Sequence, residues 1–448
     1  MADLLDLSAR IIDSGHADQP VNRVTNEISE IAPDLAMVES FSHVAVWDVD
    51  SDLVCFDTSG AHTGADVVRS IRTWRPDNPF RTLVYTHGHA DHVGGSGFFA
   101  ADARTAGIEP TVIGHVNVAN RLARYDVTAG WNVTINARQF GGLRGELNLQ
   151  IGEADSGTSV QVRPGARRFL PASVLQPTLE VDDHAEITLA SGATMDLFHD
   201  RGETDDHLWT WVPDKKWIFS GDFVIWNFPN AGNPQKVQRY PLDWARALRK
   251  MRALGPELLV PAHGLPISGA DRIARVLDEI ATALEMLHDE VLAMMNAGET
   301  LDHIVHSVRV PDDTLAKPYL RPFYDEPEFV IRNIWRLYGG WWDGAPARLK
   351  PAPDQHLAQV LTELSGGSLA MAERARRAAE DGDFRLACHL IDFAADADPE
   401  NRTVHAIRSE IYLVRRKNET SLMAKGIFMG AARESQAVVD ASRSTSPG

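Results

Sequence analysis

The chain has 448 residues, with 44 Lys and Arg against 62 Asp and Glu, a net charge of −18. At roughly 150 residues per folding unit this is room for about two or three units and a sizeable core. The acidic balance argues against a nucleic-acid or anionic-membrane surface, because both need clustered positive charge. Cys55 and Cys388 are the only cysteines, which rules out a disulfide framework and a Cys-based structural zinc site and fits a reducing compartment.

The first twenty residues carry acids where a secretory signal needs bases, and their interrupted apolar pattern predicts an amphipathic helix. No run of about eighteen apolar residues marks a membrane span. A cytoplasmic protein with no membrane partner is the expectation. Residues 41–56, FSHVAVWDVDSDLVCF, predict two strands around a polar turn at Asp48–Asp52. A helix near Gly64–Arg72, a strand at Thr82–Tyr85, a His-rich loop, a strand at Thr111–Gly114 and a helix near residues 116–123 follow, the alternation of an α/β fold. Residues 126–180, rich in Gly, Asn and Pro, predict long loops inserted over a site.

Strand patterns resume at EITLA, TMDLFH, HLWTWVP and KWIFSGD between residues 186 and 222, as in one sheet packed on another. A helix at Asp243–Leu254, a strand at Leu258–Val260 and the loop PAHG close this unit near residue 265. Beyond it the pattern is helical. Apolar positions at Ile273, Val276, Leu277, Ile280, Leu284, Leu287 and Val291 have the three-and-four spacing of an amphipathic helix over 270–296. Another helix ends at Gly339-Gly340, and residues 368–380, 384–396 and 402–415 predict helices joined by short turns, with the small residues of tetratricopeptide-like pairs. The last seven residues, SRSTSPG, predict a loose tail.

Chemistry concentrates in His87-Gly88-His89-Ala90-Asp91-His92-Val93-Gly94-Gly95, directly after the strand LVYT. Two imidazoles at i and i+2 of an extended segment share one side. Asp91 and His92 follow where the loop turns toward a helix. Such nitrogen and oxygen donors suit zinc or another first-row divalent ion, and their split into two pairs suggests two metals. Read by placement alone, Asp222 at the end of an aromatic strand and His263 in a Pro-x-His-Gly turn are further ligand candidates. Glu203 is a weaker one, because His199 and His207 flank it and either could coordinate instead.

The segment THGHADHVGG resembles the metal signature of the metallo-β-lactamase superfamily, and within it the chain is similar to the alkylsulfatases, or type III sulfatases. GWNVTINARQFG at 130–141 is similar to that group's Gly-Asn…Arg-Arg…Tyr-Gly stretch. Arg332-Asn333-Ile334, followed by Tyr338-Gly339-Gly340-Trp341-Trp342-Asp343-Gly344, closely resembles the opening of its dimerisation region. The resemblance implies an α/β protein: an αββα metallo-β-lactamase sandwich over residues 1–266, followed by an all-α dimerisation domain over 267–440. It implies two zinc ions, one on His87, His89 and Glu203, the other on Asp91, His92 and His263, with Asp222 and a water between them. Gly202-Glu203-Thr204 stands where most of the superfamily has His and the alkylsulfatases have Glu.

The implied reaction is hydrolysis of an alkyl or aryl sulfate ester by metal-activated hydroxide, with Asp91 also accepting a proton. Alkylsulfatases place a His for the leaving group between the bridging acid and the last metal His, but this chain has none between His207 and His263. Arg239 is a candidate for anion holding, Asn136, Arg138 and Asn227 for substrate contact, and Tyr240 for the acid. The sterol-carrier-like domain of the longer alkylsulfatases does not follow the helices, which makes long detergent-like substrates a weaker expectation than the fold. A carboxylic ester or lactone hydrolase on the same metals is the first alternative. A helical interaction scaffold with a vestigial hydrolase domain is the second. The apolar density of residues 323–346 predicts a homodimer.

Overall fold

A computed structural model describes residues 3–140, 146–148, 159–161 and 168–441. The chain divides into two compact units, Met1–Val133 with Leu149–Trp341, and Thr134–Asn148 with Trp342–Gly448. The first unit holds two sheets. In the seven-stranded sheet the strands Ile28–Ala32, Leu35–Val38, Val44–Val49, Asp52–Phe56, Phe80–Val84, Thr111–His115 and Leu179–Val181 lie side by side in sequence order. Pairing is antiparallel up to Asp52–Phe56 and parallel from there on. The parallel pairs require crossovers: the helices Gly64–Trp74 and Ser96–Thr105 lie in the first two, and Val118–Val127 lies in the third.

The second sheet runs His184–Thr188, Thr194–His199, Leu208–Val212, Trp217–Gly221, Leu258–Pro261 and Ile267–Ser268. Only Trp217–Gly221 and Leu258–Pro261 pair in parallel, with the helix Pro241–Ala253 between them in sequence. The period-2 geometry of strands sorts side chains between two cores. Along Val44–Val49, Ala45, Trp47 and Val49 face the core shared with the second sheet, while Val44 and Val46 join Val67, Ile71, Phe99 and Leu122 under the helices. Phe56 stacks on Phe219 across the sheets at 3.6 Å between centroids, and Trp47 meets Trp217 edge-on at 5.9 Å. On the far side, Trp244 and Leu248 of Pro241–Ala253 and Ile273, Leu277 and Leu284 of Ala270–Asn296 extend the same core. Helix, sheet, sheet and helix therefore form four layers.

Two features differ from expectation. Residues 129–139 form a helix, Ala129–Gln139, inside the stretch read as loop. Its β-branched and polar residues carry weak helical periodicity, so packing overrides propensity there. Much of the remainder of that insertion, and the tail 442–448, lie outside the described residues. The edge strands Ile28–Ala32 and Leu35–Val38 had no clear sequence signal, their alternation being broken by Glu27, Glu30 and Pro33.

The second unit includes the helices Asp354–Leu364, Ser368–Glu380, Phe384–Ala397, Arg402–Lys417 and Leu422–Asp440. Its core is built on Ala372, Ala375, Ala387 and Ala394 with Ile391, Val404, Ile407 and Ile411, so small side chains let the helices approach closely. Asp383, Asn401 and Ser421 cap three of these helices through side-chain acceptors, each satisfying first-turn N–H groups. Cys55 and Cys388 are both free thiols. Among the described residues no helix is long and apolar enough to cross a membrane.

Candidate metal centre

The strand Phe80–Val84 leads through Tyr85 and Thr86 to His87, and the one-turn helix Ala90–Val93 starts after His89. His87 Nε2 and His89 Nδ1 converge to 2.8 Å. His92, in the short helix, brings its ring to 4.1 Å from that of His87, centroid to centroid. Asp222 follows Gly221, whose φ of 53° ends the strand Trp217–Gly221 in the left-handed region. A Cβ at Gly221 would lie 2.5 Å from His207 Nε2 and 2.8 Å from Thr86 Cβ, so glycine is required. His263 follows Leu258–Pro261, and Gly264 (φ 89°) lets the chain pass within 2.4 Å of the Trp226 ring, measured from an ideal Cβ.

These strand-end residues meet. His87, His89 and Glu203 form one group, Asp91, His92 and His263 a second, and His87, His92 and Asp222 a third, each with donor atoms within 4.8 Å of one another. Asp222 lies between the first two: Oδ2 is 3.5 Å from His92 Nε2 and 3.9 Å from His87 Nε2, and Oδ1 is 3.7 Å from His263 Nε2. Asp91 Oδ2 is 3.4 Å from His263 Nε2 and 3.6 Å from His92 Nε2. Metal bonds of about 2.0–2.2 Å at tetrahedral angles separate donors by roughly 3.3–3.6 Å. The His87–His89 pair is tighter than this and the others match or slightly exceed it.

A second observation points to the same kind of ligand. His92 Nε2, Glu203 Oε2 and Asp222 Oδ1 are buried without hydrogen-bond partners. Buried polar atoms are rarely left so, and three in one cluster of nitrogen and oxygen donors suit divalent cations. Charge agrees. Burial opposes a charged His92, but Asp222, Asp57 and Asp91 overcome it and hold the imidazole well above its usual range. His263 is raised likewise, against burial, by Asp222 and Asp91. Burial first, then neighbouring cationic or imidazole groups, keep His87 and His89 well below theirs.

Neighbouring residues aim these donors. Asp57 Oδ2 accepts from His92 Nδ1 at 2.8 Å, while Thr86 donates to the same carboxylate through its backbone N–H at 2.7 Å and its hydroxyl at 2.8 Å. With Nδ1 so engaged, Nε2 of His92 is left for the cluster. Asp206 accepts the Gly88 N–H at 3.0 Å and Arg121 Nε at 2.8 Å, which holds the turn between the first two histidines. Glu203 Oε1 takes Arg239 Nη1 at 2.7 Å and Asn230 Nδ2 at 2.5 Å. Of the histidines flanking Glu203, His207 Nε2 accepts the Asp222 N–H at 3.2 Å and His199 stacks on His115 at 3.9 Å. Neither belongs to a metal-type group.

The remaining sequence candidates fall differently. Arg239 is buried against Glu203. Asn227 is buried, its Nδ2 donating to Ile225 O. Tyr240 lies under the Arg201 guanidinium, 4.6 Å from ring centroid to Cζ, and its hydroxyl is raised by burial and Asp205. Asn136 and Arg138 sit on Ala129–Gln139, in the portion belonging to the helical unit. Two groups to which the sequence assigned no role at this site lie in the field of the cluster. Burial and then Glu203 and Asp91 push the Tyr324 hydroxyl well above its usual value. Burial and Arg239 lower Lys236 to about 8, against the pull of Asp91 and Glu203. Asp57 alone had a readable signal, at the carboxyl end of a strand that pairs in parallel with the one before His87, where α/β sheets gather ligands.

Residues 56–263 match the metallo-beta-lactamase superfamily, and residues 300–437 match the alkyl sulfatase dimerisation family. The chain is 26% identical over 340 residues to a linear primary-alkylsulfatase of Pseudomonas sp. (strain ATCC 19151), covering 75% of this chain and 63% of the relative. It is 24% identical over 414 residues to an (R)-specific secondary-alkylsulfatase of Pseudomonas sp., covering 90% and 62%. It therefore spans less than two thirds of either relative. The solved structure of a stereoselective inverting sec-alkylsulfatase from Pseudomonas sp. superposes with a TM-score of 0.79 at 24% identity, over 92% of this chain and 66% of that one, which shows a shared fold.

Replacing Asp57 with Asn removes the charge that orients His92. Zinc affinity, measured by competition with a chromophoric chelator, is expected to fall by about 10- to 100-fold in Asp57→Asn while the circular dichroism of the fold is kept.

Proposed function

As a member of the metallo-β-lactamase superfamily that also carries an alkyl sulfatase dimerisation region, this chain is, we propose, a dinuclear zinc hydrolase that cleaves alkyl or aryl sulfate esters. The observation that carries the reading is the meeting of all seven donors, from positions as distant as 87 and 263, around unpaired buried atoms. His87, His89 and Glu203 would hold one cation and Asp91, His92 and His263 the other, with Asp222 within reach of both groups. Bound there, the cations supply Lewis acidity toward sulfate oxygens and lower the pKa of water from 15.7 toward about 7.

The chain's own residues do the rest. Asp91, whose side chain keeps 28% of its surface open, is the acceptor for a proton of the attacking water. Lys236 and Arg239 offset the carboxylates of Asp91 and Glu203 and so make room for an anionic ester. An alkoxide leaves slowly without a proton, and we assign the donation to Tyr324, a hydroxyl in the field of Glu203 and Asp91, a field that also holds its proton more tightly than in a free tyrosine. Tyr240 answers instead to Asp205 and Arg201.

A homodimer is part of the same proposal, although within the stretch 323–346 that suggested it Val330, Ile331 and Ile334 are packed in the main core and, of its large apolar side chains, only Tyr338, Trp341 and Trp342 near its end are exposed. Leu357, Val360 and Leu364 are exposed on Asp354–Leu364 at spacings of three and four, Leu364 to 82%, beside exposed Leu349 and Leu369. A helix with such an outward apolar stripe is normally covered by a partner.

The deciding assay offers the purified chain alkyl sulfates, aryl sulfates and lactones. Sulfate release is expected, lost on chelation and restored by about two equivalents of zinc; lactone turnover without sulfate release overturns the reading. Tyr324→Phe is expected to lower kcat on alkyl sulfates by about 100-fold or more and on aryl sulfates much less, because a phenolate leaves without an acid. Light scattering should report a dimer that Leu364→Glu converts to monomer.

A further inference from the structure

The segment from Trp226 to Tyr240 delivers Asn230 and Arg239 to Glu203, yet it contains no helix or strand to stiffen it. Its shape is imposed by residues 321–336. Phe228 N–H donates to Arg321 O at 2.9 Å. The fully buried Asp325 receives Gly232 N–H at 2.6 Å and Asn233 N–H at 3.0 Å on Oδ2, and Glu326 N–H at 2.7 Å on Oδ1. Asn333, on the helix Pro327–Gly339, donates through Nδ2 to Ala231 O and to Arg239 O, both at 2.9 Å, and so ties two distant points of the segment together. Gln238 Nε2 donates to Asn333 Oδ1 at 3.0 Å, and Arg336 Nε donates to Gln238 Oε1 at 3.0 Å. Gly232 rests directly on the helix backbone, where a Cβ would stand 2.4 Å from Phe329 C and Val330 N.

The segment ends on one contact with the metal-type residues that matters chemically. Arg239 Nη1 donates to Glu203 O at 2.9 Å and to Oε1 at 2.7 Å, and Asn230 reinforces Oε1, which leaves Oε2 buried and unpaired. A carboxylate with one oxygen fixed by two donors has lost its rotational freedom before any cation arrives, and that preorganisation raises affinity.

We propose that Asn333 and Asp325 are positioning residues that set Arg239 and Asn230 against Glu203, and that through this contact they govern how tightly the His87, His89 and Glu203 group holds a divalent cation. The inference rests on the metal-hydrolase reading, but it concerns metal affinity and not the ester. Both donors of the Asn333 amide are used, so alanine releases two buried carbonyls at once. Both oxygens of Asp325 accept backbone N–H groups, so asparagine must turn an NH2 toward at least one of them.

The test measures zinc affinity of the full chain by chelator competition, in Asn333→Ala, Asp325→Asn, Arg239→Ala and the milder Gln238→Ala. Asn333→Ala and Asp325→Asn are expected to weaken one zinc equivalent by about 10-fold or more, with Gln238→Ala shifting it less in the same direction. Asn333→Ala added to Arg239→Ala should cost little further, because the route is already cut. Folded Asn333→Ala and Gln238→Ala proteins with wild-type zinc affinity overturn the proposal, as do losses in Asn333→Ala and Arg239→Ala that simply multiply. Should Asn333→Ala or Asp325→Asn not fold, Gln238→Ala decides by the same criterion. A wild-type chain that binds zinc but releases no sulfate overturns the functional reading and leaves this one standing; a chain that binds no divalent cation overturns both.

Discussion

Everything in the first unit is arranged around carboxylates gathered out of water. Asp57, Asp222 and Glu203 are buried and Asp91 is partly so, all within one cluster of imidazoles at the ends of strands from both sheets. An isolated buried carboxylate is expensive, and several together repel, so the fold must answer each of them. Asp57 is answered by Thr86 and His92, Glu203 by Arg239 and Asn230, Asp206 by Arg121 and the Gly88 N–H. Of the atoms these contacts leave unpaired, His92 Nε2, Glu203 Oε2 and Asp222 Oδ1 belong to the metal-type groups. A cation held there would stabilise the folded chain, since a ligand that binds only the folded state shifts the equilibrium toward it.

Glu203 with Arg239 illustrates how a change of ligand type is accommodated. Burial pushes the Glu203 carboxyl up to about 8, which resists a negative charge where a neutral imidazole could stand, and the buried Arg239 guanidinium at 2.7 Å works against that push. The same pairing explains why neither flanking histidine takes the role. His207 is occupied in holding the Asp222 backbone, and His199 is stacked on His115 away from the donor groups. Arg239 in turn is held by a segment that takes its shape from Asp325 and Asn333. A motif near the end of the first unit therefore acts on a donor some 130 positions earlier in the chain.

The parts legible in the sequence were those whose signal is local. The helix Ala270–Asn296 has the predicted bounds because a long three-and-four apolar repeat has no competing solution. The strands of both sheets from Val44 to Val49 and from Thr194 to Gly221 were found through dense β-branched and aromatic runs. Ala129–Gln139 was not, since its residues have no preference strong enough to outvote their packing. Asp206, Arg121, Lys236 and Tyr324 were missed for a different reason: each is a single polar residue in an ordinary context, and only its neighbours in space give it a task.

By itself the sequence determined the donor chemistry of the His87–His92 loop, the strand–helix alternation before it and the helical character of the region after residue 270, because spacing along a chain is enough to set which faces side chains share. Tertiary structure alone decided that Arg239 is spent on a carboxylate, and that Tyr324 lies in the field of Glu203 and Asp91 while Tyr240 lies under Arg201. Those outcomes depend on distances between residues tens to hundreds of positions apart, and burial makes each such distance worth far more than it would be in water.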